Sequence, residues 1–422
     1  MTDHSNEKTQ TKNRKHGLLK TILIVFIFIH ILFSLTYLIK EGKTLRFYDE
    51  FDYYKISSNL AEHGMFAKYA NSPTAMRPPG YPFFLSLIFR FSKSILLIKI
   101  IQLILYYFSA FFIFKLAFKI SQNKNISFIA GFLFLIYPPI LFTTNTVYPQ
   151  LLYLFLFLSL ILILFNKNLN WMNLLIISII NGYLVLINPI HLLFFPFLIF
   201  LIFLKKERLF SRIKKTVFFV LISFLVFFPW MNRNYKLYHN LALTSTSGIN
   251  LLLGNNPNTT PKAGINVDIF PFIDSEKIQN FNEMEKDNYY KKIALEFIKE
   301  NPGYYFGLYF KKFLNYFNYR NQLATISESS VFRVTINAIS WFFILFFVIM
   351  SVFNKDINIR GNLLLFLIFL QSCLFYSFFF TRIRFRIPFI PFLIIIVAQN
   401  LNYYFCKLFK KNTGEKNVLQ RR

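Results

Sequence analysis

Residues 18–64 read LLKTILIVFIFIHILFSLTYLI, then KEGKTLRFYDEFDYYKISSNLAEHG. The first part, 18–39, is an apolar run just longer than the roughly 20 residues a helix needs to cross a bilayer core. The second part changes character within ten residues and mixes aromatics with Asp49, Glu50 and Asp52. A membrane helix that delivers three carboxylates to the membrane surface is an unusual expense of charge. It sets the question for the rest of the chain.

The whole composition agrees with a membrane setting. Of 422 residues, 55% are hydrophobic and 16% charged, and Phe alone supplies 58, whereas a soluble domain is about 45–50% apolar and roughly a quarter charged. A soluble enzyme, a secreted disulfide scaffold and a disordered chain are excluded. Nine further apolar runs follow at about 94–118, 126–142, 147–165, 172–188, 190–204, 214–230, 331–353, 361–380 and 387–405. The expected fold class is an all-α polytopic membrane protein with about ten spans and outer loops that carry juxtamembrane helices.

The net charge of +28 fits topology better than nucleic acid. Lys8, Lys12, Arg14, Lys15 and Lys20, then Lys115, Lys119 and Lys124, Lys167, the cluster from Lys205 to Lys215, Lys355 and Arg360, and Lys407, Lys410 and Lys411 all fall on one side of a ten-span chain. That side is cytoplasmic by the positive-inside rule, and the basic residues there meet anionic membrane lipids. Both termini are then cytoplasmic in a multi-pass protein of the plasma (inner) membrane. The layout is a tail at 1–17, a bundle at 18–230 with an outer loop at 40–93, an outer region at 231–330, spans at 331–405 and a tail at 406–422. The first span follows a polar segment without a small-residue cleavage site, so it reads as a retained helix. Cys373 and Cys406 are too few for a disulfide framework.

Several outward groups carry chemistry. Asp49, Glu50 and Asp52 lie among Phe47, Tyr48, Phe51 and Tyr53. Asp49 can cap a helix with the stripe Tyr53, Ile56 and Leu60, and it can equally accept a proton from a hydroxyl at the membrane surface. Arg382, Arg384 and Arg386 in TRIRFRIPFIP face outward against the positive-inside trend, which suits an anion held at the interface, a lipid phosphate above all, or ordinary headgroup contact. AMRPPGYPFFLS (75–86) stacks prolines into an extended turn beside Arg77, with Tyr81 in it. Pro229-Trp230 is followed by Arg233 and Asn234, and later by Gly254-Asn255-Asn256-Pro257. Residues 283–300 place Tyr290, Ile293, Ala294, Phe297 and Ile298 on one helical face that stops at Asn301-Pro302-Gly303. The aromatic run 304–319 reads as a helix lying in the interface. His63, His191 and His239 have no second ligand at metal spacing. No cofactor is indicated; a divalent metal has room but no pattern calls for it.

In this order, the Asp-Glu after the first span, RPPGYP, PWxxRNY with a later GNNP, and RFRIPxxP before the last span resemble bacterial glycosyltransferase family 39. That family is part of the GT-C superfamily of polyprenyl-phosphate-sugar transferases, with the protein O-mannosyltransferases and the lipid A aminoarabinose transferase. The resemblance covers nearly the whole chain. It implies a GT-C fold and an inverting transfer, on the outer face, from a lipid-phosphate sugar to a hydroxyl or amine of a glycan, lipid or protein. It places the catalytic aspartate on Asp49 with Glu50 as its acidic neighbour, and the donor-phosphate arginines on Arg384 and Arg386; Asp52 stands with these two acids as a catalytic candidate. Arg382, Arg77 and Arg233 are further donor-binding candidates, and Tyr81, Asn234 and Asn255 belong to the substrate loops. Two departures stand out: Gln150 occupies a place where a glutamate is common, and Asn188 precedes Pro189 where a basic residue is common. An O-antigen polymerase or ligase, and a lipid-linked oligosaccharide transporter, are the competing readings. A transporter should show ionisable residues at mid-membrane, and these spans carry few.

Overall fold

A computed structural model describes residues 25–69, 72–320, 330–354 and 359–412. The tail 1–17, the start of the first span with Lys20, the basic position Lys355 and residues 413–422 lie outside the described residues. The chain is helical almost throughout. α1 (25–41) leads to α2 (Tyr48–His63), a two-stranded hairpin of β1 (Ala67–Tyr69) and β2 (Ser72–Pro73), and α3 (Gly80–Phe89). Then come α4 (Ile95–Ser121), α5 (Lys124–Ile136), α6 (Pro138–Thr143), α7 (Gln150–Leu164) and α8 (Trp171–Ile187). A 3-10 turn at Pro189–Phe194 runs into α9 (Phe195–Phe203), and α10 spans Leu209–Tyr238. α11 (Ser247–Gly254), α12 (Ser275–Ile278), α13 (Glu283–Glu300) and α14 (Pro302–Asn315) fill the stretch between α10 and α15. α15 (Val331–Met350), α16 (Ile359–Ser377), α17 (Ile383–Arg386) and α18 (Ile390–Asn412) complete the chain.

Within the described residues, each predicted apolar run coincides with a helix or a broken pair of helices. Among the described residues, four helices, Ile95–Ser121, Leu209–Tyr238, Val331–Phe353 and Ile359–Ser377, are long and apolar enough to cross a membrane by length and composition alone. Breaks fall where prolines dictate them. The run 126–142 divides at Tyr137, whose extended backbone (φ −75°, ψ 108°) precedes Pro138-Pro139, because a residue before proline avoids the helical region. Pro229 does the opposite of what its position predicts: α10 passes through it and carries Arg233 and Asn234 on helix, not loop.

The buried core forms where α4 meets α5 and α7, α8 meets α10, and α18 lies on α5, α15 and α16. Apolar side chains such as Phe28, Phe33, Leu221, Leu225 and Phe346 stay exposed along the outer faces of the spans, as a lipid-facing surface requires.

Two glycines fix the path of the loop after α1. Gly64 ends α2 in the left-handed region (φ 66°), where its N–H donates to Leu60 O, a conformation that a Cβ disfavours. Gly80 starts α3 against α8: a Cβ there would sit 2.8 Å from Ile187. The predicted extended turn 75–86 therefore gives way to helix at Gly80. Pro82 is tolerated because it lies in the first turn, where its missing N–H costs no intrahelical bond.

Candidate active site

The acidic stretch separates into unlike roles. Glu50 is fully buried, and its carboxylate is spent on backbone. Oε2 accepts from the N–H of Phe47 (3.1 Å) and Arg46 (2.5 Å), and Oε1 accepts from the N–H of Val147 (2.8 Å). It thus closes the first turn of α2 and ties it to the segment that enters α7. The cap that the sequence offered to Asp49 belongs to Glu50, which leaves Asp49 free to face outward from the helix start.

Asp49 lies at a cavity of about 450 Å³ bounded by the start of α2, the Arg77-Pro78 turn, the entry to α7, the Asn188-Pro189 turn, the beginning of α11 and the stretch from Tyr376 to Pro388. Arg77 Nη2 donates to Asp49 Oδ1 at 2.6 Å and to Asp52 Oδ2 at 2.7 Å; Arg384 Nη2 donates to Asp49 Oδ2 at 3.0 Å. Lys68 Nζ contacts Asp52 Oδ1 at 2.7 Å. The result is a row of alternating charges, Lys68–Asp52–Arg77–Asp49–Arg384. Asp52 is buried, 1% exposed, and does not line the cavity; it holds Arg77, which in turn orients Asp49. Removing one member of such a buried pair typically costs about 3–5 kcal/mol.

The electrostatics follow from that row. Burial works against the Asp49 carboxylate, but Arg384 and Arg77 outweigh it and hold the carboxyl below the usual range. Burial equally opposes the two guanidinium ions, and their neighbours reverse the effect: Asp49 for Arg384, and Tyr53, Asp49 and Asp52 for Arg77. Lys68 loses some charge preference to burial and regains more from Asp52 and Tyr48, so it is pushed up to about 12. Arg384 also rests on aromatic faces, 5.1 Å from the Tyr148 ring centre and 5.6 Å from Phe385.

The other sequence candidates lie away from the cavity. Arg386 is buried elsewhere: Nη1 donates to the carbonyls of Tyr316 (3.1 Å) and Asn318 (2.6 Å), and its plane lies 3.8 Å from the Trp341 ring centre. It clasps the end of α14 to α15, and alternate residues of α17 thus serve different ends. Arg382 is buried beside Gly264 and over Phe380. Arg233 donates to Thr74 O and Asn234 Oδ1, both at 2.9 Å, and stacks on Trp230. Asn234 donates to Ala242 O, and Tyr81 packs edge-on to Tyr53. Asn255 donates to Leu251 O and Phe378 O and accepts from Lys312 Nζ at 3.1 Å. These residues build the wall behind the site.

Some contributors had little sequence signal. Glu283, at the start of α13, accepts from Thr74 Oγ1 (2.7 Å), Ala75 N (2.8 Å) and Ser245 Oγ (3.2 Å). Asp287, one turn later, accepts from Gly248 N (2.7 Å), Ile249 N (3.1 Å) and Ser247 Oγ (3.0 Å), capping α11 from a separate helix. Buried Lys312 is surrounded by Gly254 O, Asn255 Oδ1 and Phe379 O at 2.9–3.1 Å. Lys68 is 16 residues from its partner on a different element, which no helical period could reveal. Among the described residues, no three His, Cys, Asp or Glu side chains converge as metal ligands do.

No protein-family model matches the sequence, and no curated protein matches it. Solved structures do match in fold. ArnT from Cupriavidus metallidurans bound to undecaprenyl phosphate superposes with a TM-score of 0.53 at 12% identity, over 93% of this chain and 63% of that one. The archaeal oligosaccharyltransferase AglB from Archaeoglobus fulgidus, in complex with an inhibitory peptide and a dolichol-phosphate, superposes with a TM-score of 0.50 at 15% identity, over 96% of this chain and 52% of that one. The chain thus shares the membrane fold of these two structures and spans about half to two thirds of their length.

Proposed function

We propose that the protein is a membrane glycosyltransferase that moves a sugar from a polyprenyl-phosphate donor to an acceptor hydroxyl or amine, with inversion, at the outer face of the plasma membrane. The observation that carries this reading is Asp49, held between Arg77 and Arg384 in the lining of a cavity large enough for a sugar phosphate. The lipid phosphates named with the two fold neighbours agree with that chemistry. The acceptor is a glycan, a lipid or a protein.

The geometry suits a single displacement. The acceptor oxygen or nitrogen attacks the anomeric carbon while the bond from that carbon to the phosphate oxygen breaks, and the phosphate departs with the electron pair. It leaves as an anion, so no acid need protonate it, and Arg384 offsets the charge that develops. Asp49 takes the acceptor proton from the opposite side, and attack opposite the leaving group inverts the centre. A guanidinium shared between carboxylate and phosphate couples the two events. When the donor phosphate engages Arg384, Asp49 loses part of one cation and becomes a stronger base at the point where a base is needed.

Binding of a polyprenyl phosphate to purified wild type, Arg384→Ala, Arg384→Lys, Arg386→Ala and Arg386→Lys tests this. Arg384→Ala should weaken binding by more than tenfold, and Arg384→Lys by less, because the charge remains while the forked geometry is lost. Arg386 variants that remain folded should bind as wild type does. Unchanged affinity in both Arg384 variants would remove the phosphate from this site.

A further inference from the structure

We infer that the protein binds an anionic phospholipid of the surrounding leaflet at a second cavity, with Lys262 and Lys311 on the lipid phosphate and Leu314 and Phe342 along its chain. The inference does not rest on the reading of the Asp49 cavity, with which the second cavity shares no lining residue.

This cavity, of about 390 Å³, lies where the loop after α11 meets α14 and α15. The loop supplies Lys262, α14 supplies Lys311, Leu314 and Asn315, and α15 supplies Phe342. Two adjacent lysines of α14 have opposite fates. Lys312 is buried among three oxygens, whereas Lys311 is exposed, as is Lys262. Among the described residues neither Lys262 nor Lys311 has a hydrogen-bond or ion-pair partner, and the cavity lining holds no acid. The amides beside them serve one another and the backbone. Asn315 Nδ2 donates to Thr381 Oγ1 (2.8 Å), Asn318 Nδ2 donates to Asn315 Oδ1 (3.1 Å), and Asn318 Oδ1 accepts from the N–H of Arg320 (3.3 Å). The Tyr319 hydroxyl, also in the lining, has no partner among the described residues. The side chains left over are thus two ammonium ions and a phenol, all able to donate. A ligand that matches them brings acceptor oxygens and negative charge, as a phosphate does.

The apolar part of the lining gives that phosphate a chain. Leu314 is 67% and Phe342 53% exposed, and Phe346 and Ile349 continue the exposed apolar surface along α15. Positions 342, 346 and 349 share one helical face, and on a membrane span such a face meets lipid tails. Cations and a lipid-facing stripe therefore converge at one place. Lysine suits the junction, because its methylene stem lies along apolar surface while the ammonium reaches a headgroup. A zwitterionic lipid would bring its own cation to a cavity that has no carboxylate to meet it. An anionic phospholipid brings none.

The test uses the full-length protein in detergent with farnesyl phosphate at saturation, so that a phosphate site in the Asp49 cavity is already filled. The probes are dioctanoyl phosphatidylglycerol, dioctanoyl phosphatidylcholine and inorganic phosphate. Binding is read by native mass spectrometry and by the rise in unfolding temperature. Wild type should bind the phosphatidylglycerol about tenfold or more tightly than either other probe. Lys262→Gln and Lys311→Gln should each weaken it about fivefold, and together about 25-fold, as loss of a lysine at an anionic lipid surface does. Lys291→Gln with Lys299→Gln removes the same charge from exposed positions of α13 and should stay within twofold of wild type. The unfolding temperature of each lipid-free variant reports intact folding. Inorganic phosphate bound as tightly as the lipid would give the cavity to a free anion and overturn the inference. Equal affinity for the two lipids, or equal losses in the two double variants, would overturn it as well. Failure of farnesyl phosphate to bind counts against the reading of the Asp49 cavity and leaves these outcomes unaffected.

Discussion

Replacing Asp49 by Asn separates the chemistry of this site from its architecture. The amide keeps one oxygen for Arg77, which also retains Asp52 at 2.7 Å. What is lost is the proton acceptor and the ion pair to Arg384 at 3.0 Å. The Asp49 side chain is 23% exposed, so the pair is partly screened and its loss should lower stability by only about 1 kcal/mol or less. Loss of a general base costs about 10²–10⁴-fold in rate, or roughly 3–5 kcal/mol at 1.36 kcal/mol per decade. The chemical loss should therefore exceed the folding loss severalfold. The assay is release of polyprenyl phosphate from a sugar lipid, alongside thermal unfolding and polyprenyl phosphate binding of the same preparation. Binding should be retained or improved, since Arg384 no longer has a carboxylate to satisfy. Turnover within tenfold of wild type would refute the assignment.

The pH dependence of wild type gives an independent reading of the same residue. Arg384 and Arg77 hold the Asp49 carboxyl down against burial, so its contribution to stability is present above the unfolded value near 3.9 and lost as pH falls through the lower folded value. The acid limb of kcat/KM, which reports the free enzyme, should lie below the ordinary carboxylate range. The limb of kcat should lie higher, because the bound phosphate draws Arg384 away. The reverse order would contradict the sharing of Arg384.

Three other outcomes are expected. Arg386→Ala should lower thermal stability by about 2–4 kcal/mol, since it strands the carbonyls of Tyr316 and Asn318 and vacates the face of Trp341, and the yield of folded protein in detergent reports it. Burial lowers the Lys312 amine to about 7, so between pH 7 and its ordinary 10.5 the unfolded chain binds more protons than the folded one. Unfolding free energy should rise with pH across that window, and Lys312→Met should flatten the rise. Reporter fusions after residues 60, 280 and 415 should read outside, outside and inside; any other pattern at the first two positions removes the site from the outer face.

What could be read from the sequence was what is local. A membrane span is a property of about 20 consecutive residues, so the apolar runs fall on helices, and the stop at Asn301-Pro302 separates α13 from α14 where expected. α3 was hidden because Pro78, Pro79 and Pro82 read as a turn, although proline is at home in a first helical turn. For the site, sequence proximity was misleading in both directions. Asp49 and Glu50 are adjacent, and Arg384 and Arg386 two positions apart, yet each pair divides between unrelated tasks, because nearby helical positions face different surroundings. Glu283 and Asp287 looked like ordinary acids of an amphipathic helix. Their partners on other elements are set by tertiary packing, to which periodicity is blind.

The clamp from Glu283 has a consequence for how the protein is made. Ala75 and its acceptor on Glu283 are 208 residues apart in the chain. At about 5–20 residues per second of synthesis, the loop after α1, with Asp49 and Asp52, waits roughly 10–40 s for the helix that secures it. During that interval the loop is open to proteases and chaperones on its side of the membrane. The site thus completes itself only after most of the polypeptide has emerged, and a nascent chain cut short before α13 carries the Asp49 carboxylate on an unfastened loop.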